Sequence, residues 1–107
     1  MKIKTQQISL PVLNEKKVQL FIKRIDKIYD CISGNKWYKL KYNLIEAKRK
    51  AAKSILTFGG AYSNHISATA FAAQQKGFKS IGIIRGEETF HLNHTLTFSK
   101  ECGMDLN

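Results

Sequence analysis

Apolar and polar positions divide the first half of the chain into a strand and a helix. Residues 1–17 are mostly polar and contain the single proline, Pro11, so they predict an irregular lead-in. Residues 18–24 (VQLFIKR) are rich in β-branched and aromatic side chains, which predicts a strand. After a loop, a helix is predicted from Lys36 to about Lys53. Its apolar residues recur at helical spacing, at Trp37, Leu40, Leu44, Ala47 and Ala51. Ile45 would widen this apolar stripe, and Tyr42 would be partly buried.

The second half alternates short apolar runs with helical patterns. SILTF (54–58), which leads into Gly59 and Gly60, and KSIGIIRG (79–86) predict buried strands. Residues 63–77 and 91–103 predict helices, each ending at a glycine. Strand, helix, strand and helix with short connections predict an α/β fold built from parallel β-α units. A further strand is expected to begin at MDLN, so we expect the sequence to be the front portion of a larger α/β protein.

Composition narrows the class of protein. The 107 residues are enough for one domain, and 43% hydrophobic residues are typical of a globular chain. No apolar run is long enough to span a bilayer, and the N-terminus lacks the apolar core of a secretory signal. Cys31 and Cys102 match no metal or disulfide spacing, and His91 and His94 are better explained as a surface pair than as half of a metal site. We therefore expect a cytoplasmic protein without a metal.

The charge balance is strongly basic. Eighteen lysine and arginine residues against eight acidic residues give a net charge of +10, which would attract phosphates, nucleic acid or an acidic surface. One hypothesis is therefore a basic nucleic-acid-binding or self-associating module without catalysis. The basic residues are scattered from Lys2 to Lys100 without a run of like charge, which favours a simpler interpretation, in which a missing part of the protein carries balancing carboxylates.

Two stretches are candidates for a functional site. In the first, a strand ends at Gly59-Gly60 and a helix opens at Ser63-Asn64, which gathers free backbone N–H groups and favours an anion such as a carboxylate or phosphate. The alternative is that Ser63 or Asn64 only caps the helix. In the second, Lys36 follows Gly-Asn at a helix start, where a cation opposes the helix dipole; its amine would pair with phosphate or form a Schiff base. The alternative is a solvated surface lysine.

Taken together, the two stretches are specific. SGNKWYKLKYNL (33–44) and TFGGAYSNHISATAFAA (57–73) closely resemble the 1-aminocyclopropane-1-carboxylate deaminase and D-cysteine desulfhydrase family of pyridoxal-phosphate enzymes. The resemblance runs from about Val18 to Leu106 and covers only the N-terminal portion of a family member. It implies a partial tryptophan-synthase-β-like fold, incomplete at its C-terminal end. Residues 1–53 would belong to the large cofactor domain and residues 54–107 would begin the small α/β domain.

The resemblance also implies a role for each residue of the two motifs. Lys36 would form the Schiff base with pyridoxal 5'-phosphate and later move protons, and Asn64 would hydrogen-bond the phenolic oxygen of the cofactor. Ser63 would act catalytically at the carboxylate region of a small amino acid, of the 1-aminocyclopropane-1-carboxylate or D-cysteine type. The remaining substrate-binding residues would be Gly60, Ala61, Tyr62 and His65. His65 replaces a glutamine of the plant-growth-related deaminases and favours either the desulfhydrase branch or an uncharacterised branch.

Other segments of the family's active site have no counterpart in this sequence. They are the loop that clamps the cofactor phosphate, the partner of the pyridine nitrogen and the C-terminal aromatic residues that contact substrate. We therefore expect the chain alone to bind the cofactor poorly and to be inactive. Exposed strand edges predict a homo-oligomer, and we expect neither a membrane nor a nucleic-acid partner.

Overall fold

A computed structural model describes residues 2–28, 32, 35–87 and 91–107. Its helices and strands, in chain order, are β1 (Thr5–Ile8), α1 (Pro11–Glu15), β2 (Leu20–Lys23), α2 (Lys36–Arg49), β3 (Ser54–Gly60), α3 (Asn64–Lys76), β4 (Lys79–Arg85), α4 (His94–Glu101) and β5 (Met104–Leu106). A 3₁₀ turn at Ile25–Lys27 follows β2. Cys31 and the glycine of the Gly-Asn-Lys motif, Gly34, lie outside the described residues.

The lead-in is ordered, so the prediction of an irregular segment was wrong. β1 pairs with β2 in antiparallel fashion, with Thr5 opposite Lys23 and Ile8 opposite Leu20. Pro11 begins α1, where its missing N–H is not needed. The sequence pattern did not predict β1, because its first three residues are all polar and exposed. They therefore lack the alternation of apolar and polar residues that indicates a strand.

The second half forms a three-stranded parallel sheet in the order β3-β4-β5. This arrangement confirms the predicted α/β class and its parallel β-α units. The glycines Gly59 and Gly60 remain in the ladder, opposite Ile84 and Arg85, so β3 is two residues longer than SILTF. The turn before α3 therefore falls after the glycines and not on them.

Helix α3 lies at the centre of the packing. One cluster joins it to α2 and is formed by Ile32, Leu40, Leu44, Ala68 and Ala72. A second cluster joins it to α4 and β5 and is formed by Ile66, Ala70, Leu96 and Met104. Small alanine side chains on α3 allow both neighbours to approach closely. The division of the chain into domains at residue 53 stays a prediction.

Two predictions of burial were wrong. On α2, Tyr42 is 71% exposed and Ile45 is 56% exposed, because each lies around the helix from the buried Leu40–Leu44 stripe. On β3, Leu56 and Phe58 are 55% and 67% exposed, since alternate residues of a strand point to opposite faces and α3 covers only the other face. Within the described residues, β3 is therefore a half-buried strand. None of the described helices combines the length and the apolar character that crossing a membrane requires.

Candidate active site

The two sequence motifs meet at the starts of α2 and α3. Lys36 is the first residue of α2, and Ser63 is the N-cap of α3. The helices pack against each other through the shared cluster described above. His65, in the first turn of α3, lies close enough to Lys36 and Lys39 for their ammonium charges to lower its pKa. Residues almost thirty positions apart in sequence therefore form one electropositive corner.

His65 is held in this corner by two hydrogen bonds. Its Nε2 atom lies 2.8 Å from Oγ1 of Thr57 on β3. Its backbone carbonyl accepts a hydrogen bond of 2.7 Å from Oγ1 of Thr69. The pKa of His65 is lowered first by burial, which disfavours the charged ring, and then by Lys36 and Lys39. Both effects favour the neutral imidazole.

The hydroxyl of Ser63 does not cap α3. The Ser63 backbone carbonyl accepts hydrogen bonds from the N–H groups of Ile66 (3.1 Å) and Ser67 (3.5 Å), whereas the Ser63 side chain makes no capping hydrogen bond. Capping by this hydroxyl, one of the alternatives drawn from the sequence, is therefore wrong for the described structure. Asn64 follows as the first helical residue.

The two glycines before the turn differ in what surrounds them. A Cβ atom on Gly59 would lie 2.6 Å from Cγ1 and 2.9 Å from Cδ1 of Ile66, and 3.1 Å from Oγ of Ser63. A Cβ atom on Gly60 would meet only Nη2 of Arg85, at an ordinary 3.5 Å. Gly59 thus permits the close packing of α3 on β3, while Gly60 has room for a side chain.

Asn93 fastens the turn between β3 and α3 from the side of α4. Its Nδ2 group donates a 2.7 Å hydrogen bond to the carbonyl of Ala61, and its Oδ1 atom accepts one of 2.9 Å from the N–H of Leu96. Asn93 therefore caps α4 and holds the turn with one amide. The capping role explains why α4 starts at His94, three residues after the predicted start.

The predicted substrate residues fall on two sides of this turn. Ala61 and Tyr62 line a cavity of about 570 Å³ together with four apolar side chains, namely Ile84 of β4, Leu92 before α4, Leu96 of α4 and Leu106 of β5. Tyr62 is 81% exposed. Ser63, Asn64 and His65 lie at the start of α3. Among the described residues, no group of histidine, cysteine, aspartate and glutamate could hold a metal ion.

Several proteins of known sequence resemble the chain, and three curated relatives carry the provisional name 1-aminocyclopropane-1-carboxylate deaminase. That of Pyrococcus abyssi is 37% identical over 79 residues, covering 74% of this chain and 24% of the relative. That of Pyrococcus horikoshii is 39% identical over 77 residues, covering 72% and 24%. That of Thermotoga maritima is 40% identical over 75 residues, covering 69% and 24%. The chain therefore spans about a quarter of the length of these relatives.

A solved structure is also similar to the chain. The crystal structure of an ACC deaminase homologue covers 100% of this chain with a TM-score of 0.82 and 32% sequence identity, and the match takes 32% of that protein. The chain is homologous to a segment of proteins that carry the name 1-aminocyclopropane-1-carboxylate deaminase or ACC deaminase homologue. This homology confirms the resemblance seen in the two motifs. No protein-family model matches the chain.

Two residues of this deaminase-like segment escaped the sequence analysis. Asn93 carried a usable signal, because asparagine before a helical pattern is a preferred N-cap. For Thr57 the sequence held no signal beyond its place in a strand, because its hydroxyl forms a hydrogen bond with His65, eight residues later. The roles expected for Lys36, Ser63 and Asn64 stay predictions that the geometry makes possible.

Proposed function

We propose that this chain provides the lysine and the substrate turn of a pyridoxal-phosphate-dependent enzyme that acts on a small amino acid. The reaction class would be that of a 1-aminocyclopropane-1-carboxylate deaminase or a D-cysteine desulfhydrase. The observation that supports the proposal most strongly is the packing of α2, which begins at Lys36, against α3, together with the effect of the Lys36 charge on the pKa of His65. It unites the two motifs that carry the family resemblance.

The residues present fit one part of the cofactor. A primary amine at Lys36, an amide at Asn64 and a hydroxyl at Ser63 that is not used for capping are the donor types that an aldehyde, a phenolic oxygen and a carboxylate require. We propose that Lys36 and Asn64 hold the ring end of the cofactor. When bound, pyridoxal phosphate supplies an electron-accepting ring beside the substrate α-carbon.

The chain's own residues would then bind and orient the amino acid. The N–H groups in the first turn of α3, with the Ser63 hydroxyl, would bind the substrate carboxylate, because a helix N-terminus favours negative charge. The Lys36 amine would accept and return a proton at the substrate carbon. A neutral His65 would add a hydrogen-bonding group without a third positive charge beside Lys36 and Lys39.

The remaining part of the site would come from further polypeptide. The curated relatives are about four times as long as the segment matched here, because that segment covers 24% of each of them. We propose that the phosphate of the cofactor is bound by such a segment, either in the same protein or in another copy within an oligomer. Weak cofactor binding by the 107-residue chain alone is therefore expected.

The experiment that tests the proposal is chemical trapping of the cofactor. The purified chain is incubated with pyridoxal phosphate, reduced with borohydride and mapped by peptide mass spectrometry. We expect the main adduct at Lys36, its loss in Lys36→Ala and its retention in Lys39→Ala, the matched control on the same helix. Equal labelling of many surface lysines, or an adduct that survives Lys36→Ala, would contradict the proposal.

A further inference from the structure

Thr57 carries a polar group in a place where an apolar one would be expected. It lies within β3, is only 7% exposed and belongs to the strand face that α3 covers. Valine has nearly the same shape and an equally high strand propensity. A buried hydroxyl is costly unless it is hydrogen-bonded, so the partner of this hydroxyl indicates its role.

That partner is the ring of His65. The distance of 2.8 Å between Oγ1 of Thr57 and Nε2 of His65 is that of a well-formed hydrogen bond. A threonine hydroxyl can donate or accept, so it can hold Nε2 in either tautomer of the neutral ring, and the bond fixes the orientation of the ring. Proton exchange or ligand contact by this ring is therefore directed to Nδ1, which makes no hydrogen bond within the described residues.

The surroundings of the ring make its orientation important. Lys36 and Lys39 of α2 are the charged groups that act on it, and Thr57 of β3 and the first turn of α3 fix it in place. Thr69 donates its hydrogen bond to the backbone carbonyl of His65 and not to the ring. The two threonines thus hold different parts of the same residue, which supplies a matched pair for an experiment.

We propose that Thr57 is a positioning residue, whose hydroxyl holds Nε2 of His65 and so fixes the orientation of the imidazole beside Lys36. The consequence for catalysis rests on the proposed function, whereas the anchoring of the ring does not. Thr57 would act on the reaction only through His65. It would keep Nδ1 as the one ring nitrogen that can serve the substrate.

The test is nitrogen NMR of the histidine rings in the purified chain, without cofactor. The chain has three histidines, so the signals of His65 can be assigned with His65→Gln. In the unchanged chain we expect nuclear Overhauser contacts between the ring protons of His65 and the side chain of Thr57. In Thr57→Val the Nε2 signal of His65 should shift, because its hydrogen bond to the hydroxyl is lost. Thr57→Ser, which keeps a hydroxyl, should restore the Nε2 signal, and Thr69→Val should leave it unchanged.

Each result decides the proposal. Absence of these contacts between His65 and Thr57 in the unchanged chain would overturn it, even if Thr57→Val failed to fold. An unchanged Nε2 signal in a folded Thr57→Val chain would overturn it as well. Cofactor trapping at Lys36, measured in parallel, should become slower in Thr57→Val and recover in Thr57→Ser. If the ring responds as expected but the unchanged chain shows no adduct at Lys36, the positioning role stands and the proposed function fails.

Discussion

The packing of α3 on β3 predicts a large difference between two adjacent glycines. An alanine at Gly59 places a Cβ atom 2.6 Å and 2.9 Å from two side-chain carbons of Ile66. Ile66 is completely buried, so its side chain cannot swing into solvent. At Gly60 the same substitution meets only the end of the flexible Arg85 side chain, at 3.5 Å. Neither glycine has a positive φ angle, so backbone strain does not separate the two variants.

The magnitude follows from these contacts. Forcing an extra carbon into a packed core costs about 1–3 kcal/mol of unfolding free energy. Replacing glycine by alanine also restricts the unfolded chain, which returns about 0.4–1 kcal/mol where the native backbone allows it. Gly59→Ala should therefore lose roughly 1–2 kcal/mol, while Gly60→Ala should be neutral or slightly stabilising. The added methyl group at position 59 should also displace the first turn of α3, next to Ser63 and His65.

Urea denaturation followed by circular dichroism measures both variants against the unchanged chain. For a domain of this size, about 1 kcal/mol corresponds to a change of roughly 4–8 °C in melting temperature, so a thermal scan provides an independent check. The order of stability should be Gly60→Ala, at or above the unchanged chain, and then Gly59→Ala well below it. Equal stability of the two variants would refute the close contact between β3 and Ile66.

Further predictions concern the other side chains that fix the turn. Asn93→Ala should lower the free energy of unfolding by about 1 kcal/mol, because it removes the cap of α4. Asn93→Asp should keep the cap and lose only the hydrogen bond to Ala61. If urea denaturation gave equal losses for both variants, the bond to Ala61 would dominate. The pKa of His65 is lowered in the folded chain, so His65 binds a proton more readily in the unfolded chain. The free energy of unfolding should therefore fall as the pH drops below about 6.5. His65→Gln should flatten that part of a stability-against-pH curve, and an unchanged slope between pH 7 and 5 would contradict the burial of the ring beside two lysines.

The sequence predicted the second half of the fold well because its signals are local. Apolar runs closed by glycine placed β3 and β4, and Gly77, with a φ angle of 78°, ends α3 where a left-handed residue is needed. The first half was harder, since β1 is a polar strand that exists through its pairing with β2. Burial was misjudged at Ile45 and Phe58 because a pattern of residue types does not reveal which faces other elements cover.

The candidate site shows the same limit. Lys36 and Ser63 were found because each motif has a recognisable residue order. The effect of Lys36 on His65 depends on how α2 packs against α3, and no periodicity contains that information. Thr57 was missed for the same reason, since its importance lies in one hydrogen bond across the β3–α3 connection.

The central claim is that folding brings Lys36 against the first turn of α3, and the pKa of His65 tests it most directly. The pKa is measured by NMR titration in Lys36→Met and in Lys41→Met, a control on the same helix that does not act on His65. Removal of the Lys36 charge should raise the pKa of His65 toward its ordinary value, and removal of Lys41 should leave it unchanged. A pKa of His65 that does not respond to Lys36→Met, or that responds equally to both variants, would contradict the account.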